Sequence, residues 1–269
     1  MTSNGGGTAV SDPGPVHVHG LGINPSDGAL FVATHTGLFR AAEGAQTAQR
    51  VAGRYQDTMG FTVVGPDRFL GSGHPDLREK LPPYLGLIRS KDAGRTWTPV
   101  SLLGKADFHV LEASGRRVVG FGSDFRTRQA VMLRSDDGGR AWADLEPPAP
   151  LIDLALNPRD PDQMIAAGEK SLHRSSDGGR TWTRIDGAPG LLAWPADDEL
   201  FRIGLDGDVA RSRDRGANWH DVGHIEGEPA AFEAVADGLY AALHDGVIMM
   251  SRDGGDNWTI RSRPQTTTT

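Results

Sequence analysis

The 269-residue sequence has no cysteine, so disulfide bonds, thiolate metal ligands and cysteine nucleophiles are all excluded. It also has no apolar run near the roughly 18 residues that a membrane-spanning helix needs. Basic residues are fewer than acidic ones, 28 Lys and Arg against 35 Asp and Glu, and the charges are interspersed. Because no basic face is available for a phosphate backbone, we expect no nucleic-acid partner. Because the apolar runs are too short, we also expect no membrane span.

Turn-forming residues are abundant, with 36 Gly and 17 Pro, while 38% hydrophobic residues are enough to bury a core at this length. A motif S-x-D-x-G-x-x-W occurs five times, and its serines are 45, 40, 37 and 39 residues apart. The motifs begin at Ser90, Ser135, Ser175, Ser212 and Ser251. Each predicts a hairpin turn in which the Asp accepts backbone N–H bonds and the Gly adopts a positive φ. This period suits a four-stranded propeller blade.

Short apolar and β-branched runs flank each turn, and no stretch has a helical pattern, so the fold class is all-β. We predict a six-bladed β-propeller of four-stranded antiparallel blades over residues 16–263. Its first blade carries AEGAQTAQ where the motif would fall. Six blades give about 41 residues each, whereas seven, the alternative, would leave only about 35. Residues 1–15 are expected to be a flexible leader and residues 264–269 a disordered tail.

The five motifs match the Asp-box of bacterial neuraminidase repeats, so the chain resembles Asp-box β-propellers such as sialidases, sortilin-type domains and photosystem assembly propellers. The segment VHVHGLGINPSDGALFVATHTGLFR and the later GSGHPD are similar to a bacterial group labelled glycosylhydrolase. The resemblance implies architecture more than function, because the repeat occurs in hydrolases and in binding scaffolds. It also implies a site on the face opposite the Asp-boxes, and export to the periplasm or the exterior, with a cytoplasmic protein as the alternative.

Histidines are enriched on the face opposite the Asp-boxes, which carries the loops before the first strand and after the second strand of each blade. The histidines predicted there are His17, His19, His35, His74, His109 and His244. If His17 and His19 share one strand, their side chains face the same side. Imidazole is the commonest transition-metal ligand, so all of these except His244 are candidate ligands for zinc, copper, nickel or iron. A histidine-lined pocket for an organic ligand without metal is the alternative.

Two loops on this face offer groups for a small polar molecule or a glycan. SGHPDLREKLPPYLG in blade 2 is a candidate lid, and FGSDFRTRQ in blade 3 supplies further charges. The candidate ligand-binding residues are Arg78, Tyr84, Arg126 and His244. Arg126, together with Arg128, is a candidate for binding an anion bidentately.

The candidate catalytic residues are three carboxyl groups and one phenol: Asp57, Asp76, Asp124 and Tyr55. The carboxyl groups suit either metal ligation or the acid–base pair of a glycosidase. A sialidase-type reaction needs a tyrosine nucleophile, for which Tyr55 and Tyr84 are available, but the arginine motif expected before the first Asp-box is absent. Three functions stay open: a metal or ligand site with metal-assisted catalysis, a sialidase-like glycoside hydrolase, and a protein-binding scaffold that uses Trp194, Phe125 or the lid. A monomer is expected.

Overall fold

The computed structural model describes residues 14–264, which form six antiparallel sheets of four strands each. Every sheet contains four strands that are consecutive in the chain. No α-helix occurs in this range, and the predicted six-bladed, all-β propeller is confirmed. Apart from Gly14, Pro15 and Pro264, the proposed leader and tail lie outside the described residues.

The strands of each blade are short and alternate with tight turns. Blades 1 to 3 contain β1 (Val18–Ile23), β2 (Leu30–Thr34), β3 (Gly37–Ala41), β4 (Gln49–Arg50), β5 (Asp57–Gly65), β6 (Arg68–His74), β7 (Leu87–Ser90), β8 (Thr98–Ser101), β9 (Ala106–Ser114), β10 (Arg117–Asp124), β11 (Ala130–Ser135) and β12 (Ala143–Leu145). Blades 4 to 6 contain β13 (Leu151–Leu156), β14 (Met164–Gly168), β15 (Leu172–Ser175), β16 (Thr183–Ile185), β17 (Leu191–Ala196), β18 (Glu199–Ile203), β19 (Asp208–Ser212), β20 (His220–His224), β21 (Pro229–Val235), β22 (Gly238–Leu243), β23 (Ile248–Ser251) and β24 (Thr259–Ser262).

The first strands of the six blades form the inner ring. Each contacts the first strand of the next blade, and β21 returns to contact β1, which closes the ring around a central channel. Hydrophobic clusters fill the seams between neighbouring blades. The tryptophan of each repeated motif packs against the cluster that its blade shares with the preceding one; these residues are Trp97, Trp142, Trp182, Trp219 and Trp258.

The repeated motif forms the turn between the third and fourth strands of blades 2 to 6. In blade 2, the Ser90 hydroxyl donates to Asp92 Oδ1 at 2.8 Å and accepts the Gly94 N–H at 2.8 Å. Asp92 Oδ1 also accepts the Thr96 N–H at 2.9 Å. The same Ser–Asp and Gly–Ser bonds recur in the other four turns. The side chains of the motif therefore satisfy the backbone of their own turn, as local hydrogen-bonding residues do.

The seam between blades 6 and 1 is closed differently, because blade 1 lacks the motif. The Arg261 guanidinium donates to the carbonyl of Ala42 at 2.9 Å and to that of Ala45. The Arg263 N–H donates to the Gln46 carbonyl at 2.9 Å. The last strand is thereby fastened to the AEGAQTAQ turn of blade 1, where no tryptophan is available.

Gly139 provides a test of the contact between a turn and the blade before it. Gly138 and Gly139 are adjacent and have φ values of 80° and 85°. A Cβ at Gly139 would overlap Leu87 Cδ2 of blade 2, whereas a Cβ at Gly138 meets nothing within 4 Å. We expect Gly138→Ala to lower the free energy of unfolding by about 1 kcal/mol, from backbone strain alone, and Gly139→Ala to lower it by about 2 to 4 kcal/mol. Denaturant titration measures both, and equal losses would contradict the docking of the turn.

Candidate metal centre

β-Bulges aim a set of inner-strand residues into the channel mouth. Five inner strands, β1, β5, β9, β13 and β21, have a register irregularity near their beginning that leaves one extra residue. These extra residues are His19, Met59, His109, Ile152 and Ala230. All of them except Met59 line an axial cavity of about 100 Å³. Because a bulge redirects a side chain, His19 and His109 reach the mouth from equivalent positions of blades 1 and 3.

His19, His35 and Asp57 form the tightest group of metal-ligating side chains in the described part of the chain. One ligand atom from each lies within 4.8 Å of the others. His35 Nδ1 is 3.0 Å from Asp57 Oδ1, and the His19 and His35 rings meet edge to face with centroids 4.2 Å apart. The His17 ring centroid is 5.4 Å from that of His35. However, His17 precedes β1 and has a φ of 53°, so His17 and His19 do not share one strand. The position of His17 beside His35 therefore does not result from the alternation of side chains along a strand.

The protonation states within this triad suit a metal. Burial, reinforced by the neighbouring His35, lowers the pKa of His19 to about 4. His19 Nε2 is buried and has no hydrogen-bond partner among the described residues. Burial raises the pKa of Asp57, but hydrogen bonds from His74 and His35 outweigh that effect and the net pKa is lowered. At neutral pH the triad therefore offers a neutral imidazole and a carboxylate, the forms in which these groups coordinate metals.

Asp57 also connects the triad to a second group in blades 2 and 3. Asp57 begins β5 and His74 ends β6, and the two residues are paired across the strands. Asp57 Oδ2 is 3.1 Å from His74 Nδ1, a hydrogen bond that raises the pKa of His74. His74 Nε2 is 3.5 Å from Asp107 Oδ2, which is 3.0 Å from His109 Nε2. The structure thus brings the five histidines proposed as metal ligands into one continuous cluster.

Asp107 belongs to this cluster and is absent from the residues predicted from the sequence. It lies in β9 with only 2% of its surface exposed. The sequence feature that indicates Asp107 is the spacing Asp-x-His. Asp107 and His109 are two residues apart in one predicted strand, and side chains at that spacing lie on the same face of a strand.

Asp76 lies outside the cluster and fastens the loop of residues 75–86 to the connection between blades 1 and 2. Its carboxylate accepts the Tyr55 N–H at 2.9 Å and the Arg78 Nε at 2.9 Å. The Arg78 side chain, then the backbone bonds, hold the pKa of Asp76 well below its usual range. Arg78 also donates to the Gly53 carbonyl at 2.8 Å, and its guanidinium lies 5.2 Å from the centroid of the half-exposed Tyr55 ring. These hydrogen bonds therefore hold the first half of the proposed lid against the connection between blades 1 and 2.

The remaining loop residues have distinct surroundings. Tyr84 is buried, and its ring meets that of His74 edge to face at 5.5 Å. Its hydroxyl accepts a hydrogen bond from Arg128 Nη1 at 3.0 Å. Asp124 Oδ1 accepts the Arg126 N–H at 3.0 Å, so this carboxylate organises its own turn, and the Arg126 side chain is exposed. Tyr84 thus contacts the histidine cluster directly, while Asp124 and Arg126 form the neighbouring turn.

Two further residues lie apart from the cluster. His244 is exposed in the turn between β22 and β23, and no hydrogen bond, ion pair or ring contact in residues 14–264 joins its side chain to the other histidines. Trp194, expected as an exposed scaffold contact, is only 8% exposed and packs in the seam between blades 4 and 5. Phe125, by contrast, is 38% exposed.

Three carboxyl groups line the channel beyond the histidines and were not predicted: Glu112, Asp153 and Glu233, from inner strands β9, β13 and β21. Glu112 and Glu233 also line an adjoining cavity of about 340 Å³. Burial raises the pKa of Asp153 and of Glu233 to about 7 each, and that of Glu112 well above its usual value. Repulsion between these acidic groups adds to the effect for Glu112 and Glu233.

These raised pKa values predict a pH dependence of stability. Between about pH 4 and pH 7, the folded chain holds protons on Asp153 and Glu233 that the unfolded chain releases, so the free energy of unfolding contributed by them falls as pH rises. The double variant Asp153→Asn, Glu233→Gln lacks this fall. Denaturant titrations from pH 4 to 8 should show the variant gaining stability relative to the wild type with rising pH.

The exposed Glu226 supplies the control, since Glu226→Gln removes a carboxyl group outside the channel. If the difference in stability between the double variant and the wild type stays constant from pH 4 to 8, the raised pKa values of Asp153 and Glu233 are contradicted.

Comparison with known proteins supports the fold. No protein-family model matches the chain, and no curated protein matches it. A GH74 xyloglucanase from Xanthomonas campestris is 18% identical with a TM-score of 0.59, covering 93% of this chain and 46% of that one. The GH74 enzyme from Niastella koreensis is 13% identical with a TM-score of 0.64, covering 97% and 47%. YCF48 from Cyanidioschyzon merolae is 14% identical with a TM-score of 0.57, covering 96% and 87%.

At these identities the similarity shows the propeller fold. The chain spans less than half the length of the two GH74 structures. Between residues 14 and 264, the structure contains no helix with the length and apolar character needed to cross a membrane.

Proposed function

We propose that this propeller binds a divalent transition metal ion, such as zinc, copper, nickel or iron, at the channel mouth through His19, His35 and Asp57. The observation that carries the proposal is the convergence of one ligand atom from each residue within 4.8 Å of the others. In addition, His19 Nε2 is buried and has no hydrogen-bond partner among the described residues. A buried polar atom without a partner costs free energy, and coordination to a metal satisfies it.

The donor set supports both the metal and a chemical use for it. Two imidazoles and one carboxylate suit zinc and iron(II), and three protein ligands leave positions for water or a small polar ligand. Such open positions are what metal-assisted hydrolysis or oxidation requires. Near this site, the ring of Tyr84 packs against His74, which is hydrogen-bonded to Asp57.

The carboxyl groups proposed for a glycosidase lack the raised pKa that a general acid needs. A general acid in glycoside hydrolysis needs a raised pKa. The net pKa values of Asp57, Asp76 and Asp124 are all lowered, because each carboxylate accepts hydrogen bonds from its surroundings.

A binding scaffold is the second candidate function, and exposed apolar side chains near the mouth favour it. Leu77 is fully exposed in the loop of residues 75–86, and Leu81 in the same loop is 41% exposed. With Phe125 of the neighbouring loop, they offer apolar contacts to a protein partner. Export, inferred from the resemblance, stays a prediction, as does a monomeric state.

The metal proposal is tested by titrating the full chain, purified without chelator or a histidine tag, with Zn²⁺ and Co²⁺ against a chromophoric chelator. We expect a specific site in the wild type. Loss of a ligand in His19→Ala or His35→Ala should weaken affinity by more than the roughly 10- to 100-fold that losing an outer hydrogen-bond partner costs. Cobalt absorption in the visible range reports the coordination directly.

His224→Ala is the matched control. His224 Nδ1 is 2.9 Å from Asp208 Oδ1, so this pair has the same chemistry as His35 and Asp57 but lies exposed in blade 5. The control should bind metal like the wild type. A wild type that refuses every added metal would overturn the proposal and favour the scaffold, and an equal loss in all variants would show that no defined site exists.

A further inference from the structure

A further cavity, of about 350 Å³, lies between blades 2 and 3 and is called the basic cavity below. Asp57 begins β5 and Val64 lies near its end, so the basic cavity and the histidine cluster are at opposite ends of that strand. Among residues 14–264, no Asp or Glu lines this cavity. The side chains that line it belong to three cations and three apolar residues: Arg68, Arg89, Lys91, Val64, Leu70 and Val118.

Strand pairing brings the cations of blade 2 to one side of the sheet. Leu70 in β6 pairs with Arg89 in β7, and Arg68 is two residues before Leu70, so the three side chains share the face that packs against blade 3. Within the described residues, the side chains of Arg68, Arg89 and Lys91 make no hydrogen bond and no ion pair. Three positive charges therefore meet at this cavity without a counter-charge.

The seam between blades 3 and 4 has two arginines in the same arrangement, but there they are neutralised. Arg134 Nε and Nη2 donate to the Asp136 carboxylate at 3.2 and 2.8 Å. Arg117 donates to Asp136 as well, and its Nη2 donates to Asp162 Oδ1 at 2.9 Å. Two carboxylates thus hold two guanidinium groups in this seam.

The strand pairing shows which residues of blade 2 occupy the same positions. In both blades the arginine before the motif serine pairs with the third residue of the second strand, Arg89 with Leu70 and Arg134 with Val119. The residue after the motif serine is acidic in blade 3 and basic in blade 2. The counterparts of Arg117, Arg134 and Asp136 are therefore Arg68, Arg89 and Lys91.

The second carboxylate, that of Asp162, is also replaced by a cation. The Asp162 carbonyl accepts the Gly178 N–H at 2.9 Å, and one blade earlier the Arg116 carbonyl accepts the Gly138 N–H at 2.9 Å. Arg116 therefore occupies the turn position that Asp162 occupies in blade 4. The two negative charges of one seam are two positive charges in the other.

Arg89 shows the consequence of these replacements at the level of one atom. Its Nε is buried and has no hydrogen-bond partner in the described part of the chain, whereas the corresponding Nε of Arg134 donates to Asp136. A buried donor without a partner costs free energy, which an acceptor from a bound ligand restores.

We propose that the basic cavity binds a small dianion, whose phosphate or carboxylate oxygens take the place that Asp136 and Asp162 have in the neighbouring seam. Guanidinium groups bind such oxygens in pairs, as carboxylate and phosphate geometry allows. The apolar side chains of Val64, Leu70 and Val118 suit a short carbon body attached to the anionic groups. This site is separate from the proposed metal centre, and neither proposal depends on the other.

The test is isothermal titration calorimetry of the full chain at constant ionic strength, with inorganic phosphate and succinate as probes and at a pH where phosphate is a dianion. We expect the wild type to bind at least one probe at a single site, and the probe that binds distinguishes a phosphate ligand from a dicarboxylate. Lys91→Asp restores the acidic residue of the neighbouring seam. It should weaken binding by roughly 10-fold or more, because a hydrogen bond to a charged group is worth at least that factor.

Lys170→Asp is the matched control. Lys170 is exposed in the turn between β14 and β15, away from the basic cavity, and the substitution changes the net charge by the same amount. Arg68→Gln is a second variant that should weaken binding even if Lys91→Asp disturbs folding, and thermal unfolding checks each protein. Lys91→Asp should also raise the midpoint of thermal unfolding, since its carboxylate pairs with Arg68 and Arg89.

Two outcomes would overturn the proposal. In the first, neither phosphate nor succinate binds the wild type at a defined site. In the second, Lys91→Asp and Lys170→Asp weaken binding equally, which would mean that the anions respond only to net charge. No metal is added in these titrations, so neither outcome bears on the proposed function.

Discussion

The docking of each repeated turn onto the preceding blade is the contact on which the rest of the structure depends. A glycine with a positive φ and no Cβ allows the turn to approach an apolar side chain of that blade, as Gly139 approaches Leu87. The tryptophan of the motif fills the same seam. Serine and aspartate satisfy the backbone N–H groups of the turn that docks there. A four-stranded sheet cannot bury both faces alone, and these seams supply the missing partner for each blade.

Closure of the ring determines what reaches the channel mouth. Because six inner strands converge there, a residue near the start of one strand approaches residues from neighbouring blades that are far away in sequence. Bulges at His19 and His109 turn two imidazoles into this space, and the pairing of β5 with β6 sets Asp57 opposite His74. The same convergence brings Glu112, Asp153 and Glu233 together, and burial raises the pKa of each of these carboxyl groups.

The sequence predicts the propeller well because its signals are local: a motif of serine, aspartate, glycine and tryptophan specifies a turn, and the spacing of the motifs specifies the blade. The histidines of the cluster follow from that frame. Asp107 is indicated only by its spacing from His109, and the channel carboxyl groups are not indicated at all, since an acidic residue within a strand is indistinguishable in sequence from one that faces solvent. Asp76 is the opposite case, a residue that the sequence proposes for the site and the structure places outside the cluster. Its carboxylate accepts hydrogen bonds from Arg78 and from the Tyr55 backbone and so has a structural role. Register, bulges and loop anchoring are tertiary properties that no single segment encodes.

The central claim is that the histidine and carboxylate cluster at the channel mouth is a metal centre. The most direct measurement is a crystal structure of the zinc-loaded chain with anomalous difference maps recorded on either side of the zinc absorption edge. We expect an anomalous peak within bonding distance of His19, His35 and Asp57, at about 2.0 to 2.2 Å from the ligand atoms. Anomalous peaks confined to surface carboxylates, with the cluster unchanged and still joined by its own hydrogen bonds, would contradict it.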